Sequence, residues 1–150
     1  GIDNDLLIHL LKDFYVSESG YYNKLYQVTS RVLTDGRSDT GGYGSKSISG
    51  GNWLQATYIR PVYVQSVEIA GGYIPAWGHA KSGAYGDLYL QYSTDNLKWV
   101  TVRTLPKQPG TQIMSYSLLK PITAQYWRLT SINNWIATTE FALKPLIKPQ

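Results

Sequence analysis

Residues 90–99 read Leu90-Gln-Tyr-Ser-Thr-Asp-Asn-Leu-Lys-Trp99, and this stretch decides the class of fold. Leu90 and Tyr92 alternate with polar residues, which is the spacing of a β-strand with one buried face. The pair Asp95-Asn96 follows at once, and these residue types favour a tight turn. A second β-rich run begins at Lys98, so the stretch predicts a β-hairpin.

The same pattern extends outward from this hairpin in both directions. Short runs rich in Val, Ile, Thr and aromatic residues are separated by turn pairs such as Arg60-Pro61, Gly71-Gly72, Pro109-Gly110 and Lys120-Pro121. No helical periodicity lies between them, which indicates an all-β antiparallel sandwich or barrel. The predicted strands are Asn52–Arg60, Val62–Ala70, Asp87–Ser93, Lys98–Leu105, Gln112–Leu118, Gln125–Ile132 and Thr138–Leu143.

The N-terminal segment has a different pattern. Its apolar residues fall on one face at helical spacing, and they are Ile2, Leu6, Leu7, Leu10, Leu11 and Phe14. This spacing predicts a short N-terminal helix over residues 2–15, in which His9 is a surface or packing residue. We therefore expect an N-terminal helical or linker segment at residues 1–16 and a β-sandwich domain at residues 17–147.

Composition excludes several classes of protein and site. The 13 Tyr, 5 Trp and 2 Phe are too many aromatic residues for a disordered chain. Cys is absent and only two His are present, so disulfides, thiolate zinc sites and multi-histidine metal centres are excluded. The formal charge of +4 is scattered along the chain, so no nucleic-acid partner is expected. No run approaches the ~20 apolar residues of a membrane span.

Six short motifs stand in a fixed order between residues 33 and 143. They are Leu33-Thr-Asp-Gly-Arg-Ser-Asp-Thr40, Asn52-Trp-Leu-Gln55, Val64-Gln-Ser-Val-Glu-Ile69, the hairpin 90–99, Pro121-Ile-Thr-Ala-Gln-Tyr-Trp-Arg-Leu129 and Ala137-Thr-Thr-Glu-Phe-Ala-Leu143. This series resembles the discoidin family, also called coagulation factor V/VIII type C domains. The resemblance implies a galactose-binding-like jelly-roll β-sandwich. Many animal members carry a terminal disulfide, which this chain lacks, so the resemblance favours a microbial carbohydrate-binding module.

The resemblance also implies a structural calcium ion. The matching side chains are Asp35, Thr40 and Glu140, joined by the carbonyl groups of Leu33, Arg37 and Thr139. Calcium takes 6–8 oxygen ligands from groups of these kinds. The alternative interpretation is an Asx turn at Asp35-Gly36 with a surface Glu140.

In this family the ligand binds to loops at one end of the sandwich. A sugar packs its apolar face on an aromatic ring, while planar polar side chains bind its hydroxyl groups. The candidates are Tyr43, Tyr73, Trp77, His79, Lys81, Asn133, Asn134 and Trp135. Trp53, Trp99 and Trp127 are assigned to packing, and Trp135 is left between stacking and packing. Tyr43 and Gly71-Gly72 replace the His and Arg of galactose-binding members, so the sugar is left open.

No catalytic motif selects a nucleophile, base or cofactor loop, so we expect a protein that is not an enzyme. The expected partners are a glycan or polysaccharide and an attached catalytic or lipoprotein domain, in a secreted or cell-surface microbial protein. The chain begins at Gly1, so we expect it to be a piece of a longer protein. The alternative function is an adhesion or assembly domain that recognises protein or phospholipid through the same loops, although a membrane partner is not favoured.

Overall fold

The structure is a computed structural model that describes residues 13–22, 24–47, 49–71, 88–106, 108 and 112–149. Its strands are β1 (Phe14–Glu18), β2 (Tyr43–Gly44), β3 (Asn52–Gly71), β4 (Leu88–Ser93), β5 (Val100–Leu105), β6 (Ile113–Ser131) and β7 (Ala137–Leu146). A 3-10 helix at Lys24–Tyr26 and a short helix α1 at Ser30–Leu33 precede β2. The prediction of an all-β fold is confirmed, and β4 pairs with β5 as the predicted antiparallel hairpin.

Two long strands, β3 and β6, connect the two layers of the sandwich. The strand order is β2-β7-β3-β6-β4-β5, and β1 pairs with β3. The first half of β3 pairs with β1 and the second half of β6, and that half of β6 also pairs with β4. The second half of β3 pairs instead with β7 and the first half of β6. Each long strand therefore contributes one half to each layer.

The sequence predicts four separate strands where the structure has these two. Arg60-Pro61 and Lys120-Pro121 are predicted as turns, but they lie inside β3 and β6. The pairing shifts register between Thr57 and Val62, close to Pro61. A proline can stand in an extended segment where its missing N–H interrupts the pairing. The strands therefore bend at these points without ending.

The core lies between the layers and follows the alternation of the strands. Leu90, Trp127 and Leu129 are fully buried, as the predicted alternation requires. The Trp127 indole N–H donates to the Ala124 carbonyl oxygen at 3.0 Å. The core therefore keeps its largest side chain hydrogen-bonded, as a buried indole requires.

The prediction of a helix over residues 2–15 is wrong at the C-terminal end of that segment. Phe14 and Tyr15 belong to β1, which pairs antiparallel with β3 from Phe14↔Tyr58 to Glu18↔Leu54. The Phe14 and Tyr58 rings lie 5.2 Å apart, so pairing with a distant strand overrides the local helical periodicity. Residues 1–12, which include His9, lie outside the described residues.

Strand β1 crosses the expected domain boundary at residue 16, and the boundary itself stays a prediction. No helix in the described ranges is long and apolar enough to span a membrane.

Candidate functional site

Several strand ends and loops meet at one end of the sandwich, which we call the rim. Gly44 pairs with Ala137, Gly71 pairs with Thr138, and Leu88 pairs with Ser131. The loops 45–51 and 132–136 therefore lie side by side. Tyr21 bridges to Ser45, and the Tyr22 N–H donates to the Gly44 carbonyl oxygen at 3.0 Å. Segments far apart in sequence thus form one surface.

Asn52 holds the rim loops together from below. Its Nδ2 lies 2.7 Å from the Ser47 carbonyl oxygen and 2.9 Å from the Asn134 carbonyl oxygen. Its Oδ1 accepts the Ser47 N–H at 3.1 Å. The side chain is buried, so these bonds replace the water that it loses. The loops are therefore fixed before any ligand arrives.

The loops also approach each other too closely for a side chain at Gly50. Its φ of +101° is one that L residues rarely adopt. A Cβ atom there would lie 1.8 Å from the Ile132 carbonyl oxygen. Glycine is therefore required at this contact, which sets the position of the loop that carries Trp135.

An aromatic corner, formed by Tyr22 and Trp135, lies on the rim. The two ring centroids are 5.9 Å apart and the rings meet at 79°. Tyr22 is 60% exposed and Trp135 is half-buried. The neighbouring Asn133 is exposed, whereas the Asn134 Oδ1 accepts the Trp135 N–H at 2.9 Å and so positions that residue. The aromatic corner therefore exposes part of the Tyr22 and Trp135 rings next to the polar Asn133 side chain.

Sequence reasoning did not identify Tyr22. The Tyr21-Tyr22 pair after Gly20 shows only that aromatic residues follow a turn. Its contact with Trp135 joins residues far apart in the chain, and no local pattern predicts it.

The expectation that Tyr43 contacts a ligand is wrong. Tyr43 lies in β2, pairs with Thr138 and is fully buried in the core. Its hydroxyl donates to the Gly20 carbonyl oxygen at 2.6 Å, and burial raises the pKa of this phenol. A sugar has no open ring face to stack on at this position.

Two of the three tryptophans assigned to packing lie outside the hydrophobic core. Trp127 is buried as expected, but Trp53 and Trp99 are only half-buried. The Arg128 guanidinium lies 4.0 Å from the Trp53 ring centroid and 4.1 Å from that of Trp99. These two rings pack on a cation and not on the apolar side chains of the core.

The other predicted ligand contacts lie in the segment between β3 and β4. Tyr73, Trp77, His79 and Lys81 are outside the described residues, and their roles stay predictions. The flanking residues Gly71 and Leu88 are at the rim.

The predicted metal-binding loop approaches Glu140, although the two are far apart in sequence. The Gly36 N–H donates to Glu140 Oε2 at 3.0 Å. Asp35 Oδ1 accepts the Arg37 N–H at 2.9 Å, and Asp35 Oδ2 accepts the Thr40 hydroxyl at 2.5 Å. The structure therefore brings together the side chains of Asp35, Thr40 and Glu140. The Thr139 hydroxyl points elsewhere, to the Gly71 carbonyl oxygen at 3.0 Å.

Glu140 is a buried carboxylate with an incomplete set of partners. Its Oε1 is the one buried side-chain oxygen or nitrogen without a hydrogen bond in the described part of the chain. Burial raises the pKa of Glu140 to about 7, the Gly36 N–H opposes this shift, and the negative charge of Asp35 adds to it. An unpartnered buried carboxylate oxygen is costly unless a further group binds it. The all-oxygen donor set fits a hard cation such as calcium.

Asp39 is directed away from these carboxylates. The Arg37 Nε lies 2.9 Å from Asp39 Oδ1, and a second bond of 3.1 Å joins Arg37 Nη2 to Oδ2. This ion pair is exposed and lowers the pKa of Asp39. Asp39 is thus paired with the Arg37 side chain, and the candidate metal ligand that Arg37 offers is its carbonyl group.

Comparison with solved structures identifies the architecture. The F5/8 type C domain of a Bacteroides fragilis protein is 16% identical, with a TM-score of 0.64 over 95% of this chain and 93% of that chain. The chain has the discoidin fold. This result confirms the resemblance that the six motifs predict at the level of the fold.

Two further structures with the discoidin fold are carbohydrate-binding modules. One is a Clostridium perfringens module in complex with GalNAc-β-1,3-galactose, which is 8% identical with a TM-score of 0.69 over 89% of this chain and 96% of that chain. The other is chitosan-binding module 1 from a Paenibacillus chitosanase/glucanase, 18% identical with a TM-score of 0.65 over 89% of this chain and 96% of that chain. No protein-family model matches the sequence, and no curated protein does.

Proposed function

We propose that the protein is a non-catalytic carbohydrate-binding module that binds glycan at the rim. The observation that carries this proposal is the aromatic corner, where Tyr22 and Trp135 meet at 79° beside the exposed Asn133. The solved carbohydrate-binding modules with the same fold support it.

The corner suits the chemistry of a pyranose ring. One face of the sugar carries C–H groups and packs on the open part of the Trp135 indole. The Tyr22 ring then borders the sugar, while its hydroxyl and the Asn133 amide bind sugar hydroxyl groups. The hydrogen bonds of Asn52 hold this arrangement in place, so little conformational entropy is lost on binding.

The protein would act by tethering. A shallow rim site buries few ligand atoms, so its affinity for a single sugar chain is weak. Attached to a hydrolase or a surface lipoprotein, it would raise the effective concentration of its partner domain near polysaccharide. This role places the parent protein outside the cell or on its surface.

The proposal includes a structural calcium ion beside the rim. Glu140, Asp35 and Thr40 would supply side-chain oxygens, and the carbonyl groups of Leu33, Arg37 and Thr139 would complete the set. The unpartnered Glu140 Oε1 supports this assignment. A bound ion would join the last strand to the loop 34–40 and stabilise both.

A polysaccharide retention gel tests the binding site. The wild-type protein should be retarded by at least one neutral plant, algal or fungal polysaccharide, and Trp135→Ala should restore free migration. Tyr22→Ala should reduce the retardation by a smaller amount. Tyr63→Ala is the matched control, since Tyr63 lies in β3 and pairs with Leu146 of β7. Retention that survives Trp135→Ala unchanged would overturn the rim as the site.

A phospholipid-binding function is the second candidate because apolar side chains are exposed near the corner. Leu25 is 70% exposed and Ile132 is 61% exposed. Such tips beside basic residues can enter a membrane interface. Pelleting with phosphatidylserine vesicles separates the two functions. Binding to vesicles, together with no binding on a glycan array, would replace the first proposal with the second.

A further inference from the structure

A second surface, built around the cation Arg128, lies on the side of the layer β3–β6–β4 that faces away from the core. We call it the Arg128 face, and it comprises Trp53, Gln55, Gln91, Trp99, Arg128 and Thr130. Gln55 pairs with Arg128, which pairs with Gln91, so these three side chains project in one row across β3, β6 and β4. The rim site does not use this surface.

The Arg128 side chain is held in one orientation by three neighbours. Its guanidinium carbon lies 4.0 Å from the centroid of the Trp53 ring and 4.1 Å from that of the Trp99 ring, so both indoles make cation–π contacts with it. Its Nε donates to Gln55 Oε1 at 2.7 Å. The Gln55 amide is itself fixed, because its Nε2 donates to Asn96 Oδ1 at 3.0 Å and to the Thr57 hydroxyl at 2.9 Å. The guanidinium is thus oriented in advance.

This arrangement leaves one part of the guanidinium unused. Two indole rings contact the guanidinium, and the only hydrogen bond of Arg128 within the described residues is the one from Nε. At the end of the side chain, the two terminal nitrogens, Nη1 and Nη2, have no hydrogen-bond acceptor in the described part of the chain. That end has the fork geometry that binds a carboxylate through two parallel hydrogen bonds.

The surroundings of Arg128 are polar but lack an acidic partner. The Thr130 hydroxyl donates to Gln91 Oε1 at 2.7 Å, and Gln91 Nε2 donates to the Thr101 hydroxyl at 3.2 Å. In the described part of the chain, ion pairs join Arg37 to Asp39 and Lys144 to Glu68, and none involves Arg128. Partial burial lowers the pKa of Arg128, which reflects the hydration that its charge has lost. An anion from outside would restore a partner to this charge.

We propose that the Arg128 face is a second glycan site that binds a polysaccharide chain through a sugar carboxylate. The carboxylate binds Nη1 and Nη2, the indole rings of Trp53 and Trp99 contact the C–H groups of the chain, and Gln91 and Thr130 bind hydroxyl groups. This inference extends the proposed glycan-binding function to a separate surface. A single cation among neutral amides and hydroxyls suits a uronate better than a nucleic acid, which needs a cluster of basic residues.

NMR titration of the wild-type protein and its variants tests the proposal. The probes are de-esterified oligogalacturonate, oligomannuronate and the methyl ester of each, which removes the charge and keeps the sugar. At least one acidic oligosaccharide should shift the indole N–H signals of Trp53 and Trp99 saturably, and its methyl ester should not. The shifts should persist in Trp135→Ala, which removes the rim site. Raising the salt concentration should weaken the binding.

Substitution of Arg128 gives the quantitative test. Arg128→Gln should weaken binding of the acidic oligosaccharide about tenfold or more, because a charge-assisted bidentate contact is lost. Arg128→Lys keeps the charge without the fork and should recover only part of the affinity. Arg60→Gln is the control, since it removes an exposed positive charge remote from the face and should leave the affinity within about twofold.

The outcomes distinguish this inference from the rim proposal. If no acidic oligosaccharide shifts Trp53 or Trp99 while glycan still binds at Trp135, the Arg128 face has only a structural role and the rim proposal stands. If Arg128→Gln and Arg60→Gln weaken binding equally, the effect is one of net charge and the inference fails. If acidic chains bind through Arg128 in Trp135→Ala, and that variant retains every polysaccharide as well as the wild type does, the rim proposal fails instead.

Discussion

The turn around Asp95 and the contact between the loop 34–40 and Glu140 are both built around carboxylates, but their hydrogen-bond partners come from different parts of the chain. Asp95 Oδ1 accepts the N–H groups of Leu97 and Lys98 at 2.9 Å each and the Ser93 hydroxyl at 3.0 Å. All of its partners lie within three residues. Glu140 instead receives its partner from Gly36, 104 residues away, and keeps one oxygen without a partner. The first carboxylate completes a local turn, whereas the second joins two distant segments and keeps an oxygen without a partner in the described part of the chain.

The largest expected effect concerns the close contact between rim loops. Gly50→Ala should lower the free energy of unfolding by about 2–4 kcal/mol, because the new Cβ meets the Ile132 carbonyl group at an unfavourable φ. Gly51→Ala is the matched control. Its φ is +73° but nothing lies within 4 Å of the added atom, so a cost of about 1–2 kcal/mol is expected. Urea unfolding measures both, and equal costs would show that the loops do not pack as described.

The next effect concerns calcium. At a free calcium concentration of about 100 times Kd, the ion should add about 2.7 kcal/mol to the free energy of unfolding, and a chelator should remove this gain. Glu140→Gln should abolish the gain, because it removes the charge that binds the ion. Asp95→Asn should leave the gain unchanged. Calorimetric melting curves that are identical with calcium and with chelator would contradict the calcium assignment.

The smallest effect concerns the Asp95 turn itself. The backbone N–H of Lys98, that of Leu97 and the Ser93 hydroxyl lower the pKa of Asp95. A carboxyl whose pKa is lower in the folded state stabilises the fold above its unfolded pKa of about 3.9, and this contribution is lost as pH falls through the folded value. The melting temperature of Asp95→Asn should therefore lie below that of the wild type at pH 7, and the difference should shrink as the pH falls below about 3.9. A gap that widens in acid would contradict this account.

The sequence predicts the locally built parts well. The alternation of Leu90 and Tyr92, followed by Asp95-Asn96, predicts the β4–β5 hairpin, and the structure confirms it. The two Pro-containing bends are recognised as breaks in pattern but are wrongly read as strand ends. Both prolines lie inside a continuous strand, β3 or β6. A strand that passes from one layer to the other can bend there, because it is paired with other strands both before and after the bend.

The errors fall where a distant partner decides the outcome. Phe14 has helical spacing but pairs with Tyr58, and Tyr43 occupies a predicted ligand position but is buried against β7. Trp53 and Trp99 resemble core residues but stack on Arg128. Nothing in the local sequence marks Tyr22 as a candidate site residue, and only its contact with Trp135 in the structure does so. In each case the residue type is informative and the partner is absent from the local sequence.

The central claim is that a sugar packs on Trp135 at the rim, and the most direct measurement is the intermolecular nuclear Overhauser effect between bound glycan and protein. The account predicts cross-peaks from sugar C–H protons to the Trp135 indole and the Tyr22 ring, with none to the buried Trp127. For a neutral glycan, which has no carboxylate for Arg128, cross-peaks to other aromatic rings with neither Trp135 nor Tyr22 among them would contradict it.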